Sequence, residues 1–237
     1  HPRSGQNPAL RSFIYRVARL ARLPINVIFC YDGKERPTIK RNMKVSKSDH
    51  WMVRPTQRIL DAFNIQWVMA RSEAEAELAL MNKEGIIDAV MTDDSDVFVF
   101  GAQTVLQNST LSPDDTIKVY TADTIRERVA RSLHREGFIL MAVCCGGDYD
   151  QTGLRGCGCN TALGLVRCGL AHGLCNATSN VPDVADSLRV WRRDVRDHLA
   201  HDPTKRIGRL RPTLARTLSD TFPDPNVVSS YLDPVVS

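Results

Sequence analysis

The chain has 237 residues, 43% hydrophobic and 24% charged, so it is long enough for one large or two small globular domains and too apolar for a disordered chain. Its formal charge of +4 is mildly basic, which permits a nucleic-acid partner without requiring one. No run approaches the roughly eighteen apolar residues of a membrane span, and no signal peptide is visible.

Residues 1–7 are an irregular polar start. Residues 8–23 have helical spacing, with Leu10, Phe13, Ile14, Val17 and Leu20 on one side and Arg11, Arg16, Arg19 and Arg22 largely on the other. Those arginines fit either a solvated face or phosphate contacts. Pro24 breaks the helix, and residues 25–31 (INVIFCY) read as a buried strand ending at Asp32-Gly33. Lys34, Arg36, Lys40, Arg41, Lys44 and Lys47 then form a basic stretch, read as a solvated loop or as a phosphate-binding one. Residues 49–63 read as a helix begun or interrupted near Pro55, and residues 65–69 (IQWVM) as a strand.

The run from Ser72 to Gly101 carries two acid clusters, Glu73, Glu75 and Glu77 at its start and Asp93, Asp94 and Asp96 near its end. Ser72 with Glu75 has capping-box spacing, Gly85 is placed to end the helix, and residues 86–91 (IIDAVM) read as a buried strand. Each cluster alone fits a helix-dipole acid or a solvated turn. Around one strand, however, a helix-start cluster and a strand-end cluster can meet at a hard cation. Residues i and i+2 do not face each other on a helix, so a site using both Glu73 and Glu75 requires Glu73 in the non-helical cap.

Beyond Gly101, residues 104–107 and 117–120 read as short strands around a polar loop. Helices are expected over 121–133, with Thr121 or Asp123 as cap, over 138–145, over 181–200, and over 206–218. The alternation of strand and helix predicts an α/β class with a mostly parallel central sheet flanked by helices. Seven cysteines, six of them between Cys144 and Cys175, read as reduced thiols. Cys144-Cys145 and Cys157-x-Cys159 are poor spacings for the alternative, a zinc site.

SEAEAE followed by TDDSDVFVFG resembles the internal region of the XPG/flap-endonuclease family of structure-specific nucleases, which carries E-A-E and D-x-D in this order. The resemblance implies that Glu73, Glu75, Asp94 and Asp96 are metal-binding carboxylates, and it leaves Asp93 and Glu77 outside the motif. CYDG is similar to the family's F-D-G motif, which implies Asp32 as another metal-site acid. The following DGKERPTIKR resembles D-G-x-x-P-x-x-K-R and implies phosphate contacts by Lys34, Arg36, Lys40 and Arg41. Gly146-Gly147-Asp148-Tyr149 is similar to G-[GS]-D-Y, in which the acid, here Asp148, closes the site; Asp150 does not match.

Gly156-x-Gly158-x-x-x-Ala162 resembles a helix–hairpin–helix element, whose backbone N–H groups approach duplex phosphates. Arg155 stands where Pro is common and Cys159-Asn160 replaces Pro-Lys, which leaves Arg155 and Arg167 as candidates for the missing charge. The FPDPNVVSSYLDPVVS run resembles the family's closing segment. The connection of about forty residues between Asp32 and Glu73 is more like the Holliday-junction resolvase branch, especially its fungal members.

The resemblance thus implies a PIN-like nuclease core over 1–150, with its internal catalytic region at about 65–150, and a helix–hairpin–helix with C-terminal helices over 151–237. It implies two Mg²⁺ or Mn²⁺ ions at Asp32, Glu73, Glu75, Asp94, Asp96 and Asp148, and allows a monovalent cation at the hairpin near Gly156 and Gly158. The implied partner is branched double-stranded DNA, a 5′ flap or a four-way junction, in nuclear repair and recombination, with dimerisation on a four-way junction allowed. The family begins with a strand carrying the first metal-site acid, so this chain is expected to be a core without that strand. The rival expectation is a family-like protein that holds branched DNA without cutting it.

Overall fold

The computed structural model describes residues 7–37, 39–40, 43–44, 49–107, 116–179 and 182–237. Helix α1 (Pro8–Leu20) begins where Asn7 Oδ1 accepts the Ala9 N–H at 3.1 Å, with Pro8 at the first helical position, where its missing N–H costs nothing. It ends three residues before the expected limit. Strand β1 (Ile28–Tyr31) follows, shorter than the apolar run that contains it. Instead of a loop, the basic stretch contains a two-residue antiparallel hairpin, β2 (Ile39–Lys40) with β3 (Met43–Lys44). Arg41 and Lys47 lie outside the described residues.

Helix α2 (Val53–Ala62) leads to β4 (Gln66–Met69), which pairs in parallel with β1 from Ile28↔Gln66 to Tyr31↔Met69. Both strands therefore deliver their C-terminal ends to the same edge. Beyond that edge Gly33 donates to the Ser72 carbonyl at 2.6 Å and Glu35 to that of Arg71 at 3.1 Å. A side chain at Gly33 would run into the backbone carbonyls of Ala70 and Arg71, so the close approach requires glycine.

Helix α3 (Ala74–Lys83) takes Glu73 as its N-cap, not Ser72. Ser72 is drawn away because its hydroxyl donates to the Glu35 carbonyl. Gly85 ends the helix at φ +72° in a Schellman arrangement, with the Ile86 N–H returning to the Met81 carbonyl at 2.9 Å. That closure uses the start of the expected 86–91 strand, and only β5 (Val90–Met91) is extended, with Ile86 65% exposed. Helix α4 (Asp96–Phe100) carries the buried VFVF run. Strands β6 (Thr104–Gln107) and β7 (Lys118–Thr121) complete a three-stranded sheet in which β5–β6 is parallel and β6–β7 antiparallel. Among the described residues there is no continuous parallel sheet; two parallel pairs stand in separate small sheets, within a helix-rich α/β fold.

Thr121 caps α5 (Ala122–Arg128), which stops five residues short of the expected end. The core centres on α6 (Arg135–Cys145), where Ile139, Leu140, Val143 and Cys144 are buried. Phe98 of α4 stacks on Phe138 at 5.4 Å between ring centres. Helices α7 (Cys159–Arg167), α8 (Leu170–Ser179) and α9 (Val184–His201) follow. The expected basic helix over 206–218 is reduced to α10 (Pro212–Thr217), because Asp202 takes the N–H groups of Arg206 and Ile207 at 2.9 and 3.1 Å and holds them in a loop. The chain closes with α11 (Pro225–Leu232).

Asn82 pins three segments at once. Its side chain donates to the Ile87 carbonyl at 3.0 Å and accepts from Gln103 N at 2.7 Å and Thr104 N at 3.0 Å. Asn82→Leu keeps the volume and strands those backbone groups, so the folded state should lose at least about 2 kcal/mol in urea unfolding. A smaller loss would mean the three groups find water instead.

Cys175 supplies a pH test. Burial, then the Glu136 charge, push its thiol from 9.0 to about 12. The unfolded chain releases that proton at lower pH than the folded one, so the contribution is intact below pH 9.0 and declines as pH rises towards 12. The slope should be about 1.4 kcal/mol per pH unit, and Cys175→Ala should remove that part of the alkaline loss.

Candidate active site

Asp32 leaves the end of β1 and its Oδ1 accepts the Ala74 N–H at 3.0 Å, capping α3 from another segment of chain. Glu73, at φ −97° and ψ 135°, is in the non-helical cap that a shared Glu73–Glu75 site demands. It is only 5% exposed, and its carboxylate accepts a hydrogen bond from the Tyr149 hydroxyl. Glu75 and Glu77 lie in the first turn of α3. The buried Glu77 accepts the Ser237 N–H at 3.0 Å, which gives this acid outside the motif a structural role.

The second cluster is built as a local turn at the end of β5. Asp94 N–H donates to Thr92 Oγ1 at 3.0 Å, and Asp94 Oδ1 accepts the Asp96 N–H at 2.9 Å, so Asp96 opens α4 with its neighbour's carboxylate already fixed. Asp93 is exposed. Asp148 follows α6 and is 5% exposed. Its loop turns at Gly146, φ +87°, and is closed by Gly147 N–H to the Asp150 carbonyl at 2.8 Å. Asp150 Oδ1 accepts the Thr152 N–H, so this acid shapes the turn.

Electrostatics tie the segments together. Tyr149 is held well above its ordinary value first by burial, then by the Glu73 charge and its hydrogen bond, with a contribution from Asp96. Tyr231 is raised by burial, then by Asp96 and Asp148. Cys30 is pushed up to about 12 by burial and by Glu77, Asp32 and Glu75. Asp32, Glu73, Glu75, Asp96 and Asp148 thus each influence a group on a different segment, and Asp94 is bonded to Asp96. All the donors are hard carboxylate oxygens, the chemistry that suits Mg²⁺ or Mn²⁺. Among the described residues, no three His, Cys, Asp or Glu side chains stand close enough to enclose an ion in this conformation.

Lys34 is exposed, and Arg36 is fixed at the site edge by donating to the Gly33 carbonyl at 3.3 Å. Lys40 lies on β2; Arg41 falls outside the described residues. Gly156 has φ +88°, and a Cβ added at Gly158 would meet nothing within 4 Å. Internal packing therefore leaves the outer side of this turn open. Arg167 donates to the Val129 carbonyl at 3.1 Å, while Arg155 is exposed.

Three residues were missed in the sequence. Tyr149 and Tyr231 meet edge-to-face at 4.6 Å beside the acids, and Arg135 holds the Tyr231 and Leu232 carbonyls at 2.7 and 2.9 Å. Tyr149 belongs to the quoted G-[GS]-D-Y motif, so its place was visible although its contact with Glu73 was not.

Residues 64–148 match the XPG I-region. The human flap endonuclease GEN homolog 1 is 30% identical over 185 residues, covering 69% of this chain and 20% of that protein. A solved Holliday junction-resolving enzyme GEN1, in complex with product DNA and Mg²⁺, superposes with a TM-score of 0.76 at 29% identity over 99% of this chain and 53% of that one. The catalytic core of Rad2 with DNA substrate superposes with a TM-score of 0.69 at 25% identity, over 99% of this chain and 73% of that one. The chain has the α/β fold of these nucleases. It belongs to the XPG/flap-endonuclease family. It spans about a fifth of the human relative and about half of the solved GEN1 chain.

Tyr149→Phe removes the hydroxyl that meets the buried Glu73 carboxylate. Unfolding should shift by about 1–3 kcal/mol towards the unfolded state at pH 7. Unchanged stability would show that Glu73 is held without the phenol.

Proposed function

We propose that this chain is core sequence of a metal-dependent, structure-specific DNA endonuclease that hydrolyses phosphodiesters at branched DNA, a 5′ flap or a four-way junction, in nuclear repair and recombination. The observation that carries the reading is that hydrogen bonds tie the segments bearing the candidate acids: Asp32 accepts the Ala74 N–H beside Glu73, and Tyr149, next to Asp148, donates to Glu73. Asp32, Glu73, Glu75, Asp94, Asp96 and Asp148 are the side chains that would hold two divalent ions. Bound Mg²⁺ or Mn²⁺ would supply positive charge to activate water and stabilise the leaving oxygen in phosphodiester hydrolysis.

The protein's own contribution is placement. The Asp32–Ala74 and Asp94–Asp96 hydrogen bonds fix two of the acids against backbone, and Tyr149 orients Glu73. Lys34 and Arg36 supply positive charge for DNA phosphates beside the acids, and Lys40 and Arg41 follow them in the sequence as further phosphate contacts. Gly156 and Gly158 let backbone amides approach a duplex phosphate, as in a helix–hairpin–helix. Solved GEN-1 forms bind cesium, sodium and potassium, which supports a monovalent cation in this protein, and we assign it to that turn. The division at about residue 150, between nuclease core and clamp, belongs to the same proposal, as does pairing of two copies on one four-way junction.

A second reading is a family-like protein that holds branched DNA without cutting it. Labelled flap and four-way substrates, incubated with Mg²⁺ and with EDTA, separate the two readings. Mg²⁺-dependent cuts near the branch point support the endonuclease; retained binding with no cleavage supports the second.

Asp96→Asn preserves shape and removes one charge. Cleavage should fall by orders of magnitude while DNA binding changes little, and equal cleavage by variant and parent would remove Asp96 from the site. Gly158→Val adds bulk on the open side of its turn, so it should weaken binding to every duplex-containing substrate irrespective of sequence. Loss confined to one sequence context would contradict backbone recognition.

A further inference from the structure

Helix α7 has no lysine or arginine before its last residue, Arg167, so the open turn at Gly156 and Gly158 starts a helix without cations of its own nearby. The loop between α9 and α10 brings cations to it. Three contacts lay that loop antiparallel along α7. At the C-terminal end the Thr204 hydroxyl donates to Cys168 Sγ at 3.2 Å. At mid-helix a Cβ on Gly164 would stand 2.4 Å from the Ile207 carbonyl oxygen, so backbone lies directly on backbone. At the N-terminal turn a Cβ on Gly156 would lie 3.8 Å from Leu214 Cδ1.

The loop is held in one shape. Asp202 at φ +45° and Lys205 at φ +56° are both left-handed, a conformation uncommon for lysine and retained where the surroundings enforce it. Asp202 does the enforcing: its carbonyl accepts the Lys205 N–H at 2.9 Å, and its carboxylate oxygens accept those of Arg206 and Ile207 at 2.9 and 3.1 Å. The buried Ile207 pins the middle, and Arg211 N–H closes the end on the Leu199 carbonyl at 2.7 Å. Lys205, Arg206 and Arg209 stay exposed, and among the described residues none of them forms an ion pair. Asp202 is the one acid between 202 and 211, and both its oxygens are committed to backbone.

We propose that the loop 203–211 is a second contact surface for duplex DNA, on which Lys205, Arg206 and Arg209 take backbone phosphates next to those that the Gly156–Gly158 turn approaches. The inference rests on the reading of that turn as a duplex-phosphate contact. Helix α7, nine residues long, spans about 13 Å, the rise of about four phosphates along one strand at roughly 3.4 Å each. A loop lying along the helix therefore presents its three cations over a stretch that offers each a phosphate. Such contacts fix the position of the duplex and carry no sequence information. An acidic peptide matches the sign of the charge, but the alignment of the cations with the turn favours the regular phosphates of a duplex.

The test is binding of the 237-residue chain to an unbranched duplex over a range of NaCl concentrations, in EDTA so that no divalent ion takes part. Lys205→Gln, Arg206→Gln and Arg209→Gln change exposed side chains, and thermal melts should show each variant folded like the parent. Each should weaken binding equally on every duplex sequence and flatten the slope of log K against log salt by about 0.9, with the triple variant losing about three times as much. Lys83→Gln, the same charge change in the last turn of α3, should leave the slope as it is. A triple variant that keeps the parent's slope, or an equal loss with Lys83→Gln, would overturn the loop contact and leave the nuclease reading standing. A parent that binds no duplex at all would overturn both.

Discussion

Everything at the candidate site depends on how closely the ends of β1 and β4 approach each other. Parallel pairing brings the two C-terminal ends to one edge, and Gly33 lets the chain after β1 lie directly on the carbonyls after β4. Asp32 is then within reach of the first free N–H groups of α3, where a carboxylate satisfies a backbone donor and meets the positive end of the helix dipole. Because Asp32 holds the helix start, Glu73 remains extended, and the two glutamates of E-A-E no longer obey helical spacing. A Cβ at one glycine would disturb this whole arrangement.

Gathering carboxylates in a partly buried place is costly, and the fold meets the cost with donors taken from many elements. Ala74 N–H serves Asp32, Asp96 N–H serves Asp94, Ser237 N–H serves Glu77, and the Tyr149 hydroxyl serves Glu73. Tyr149 also rests on Tyr231, which Arg135 secures through its carbonyl. The C-terminal helix is therefore part of the support for acids that lie far earlier in the chain. The Glu73–Tyr149 and Glu77–Ser237 contacts exist only when distant segments dock.

The basic residues are fastened on the same principle. Arg192 donates to the Phe222 carbonyl at 2.9 Å, and Arg196 to the Leu218 carbonyl at 2.8 Å and to Asp220. These arginines fasten the C-terminal segment to α9. Arg36 likewise donates to a backbone carbonyl, that of Gly33 at the edge of the acid site, and Lys34 is exposed. Net charge alone could not show where each guanidinium is fastened, since it counts every one alike.

The sequence by itself determined what is local or repeated in motif form. The positions of α1, α3 and α6, the turn at Gly85 and the strand cores at Ile28–Tyr31 and Gln66–Met69 follow from periodicity, caps and breakers. The candidate acids were legible because SEAEAE, TDDSD and GGDYD are contiguous patterns. Tertiary structure decided what each of these residues touches. It moved the α3 cap from Ser72 to Glu73, shortened the strand at 86–91, and confined the helix at 206–218 to Pro212–Thr217. It also joined Tyr149 to Glu73, and Asp32 to the start of α3. Backbone and side-chain donors choose partners by distance in space, and segments far apart in the chain acquire that distance only when the helices pack.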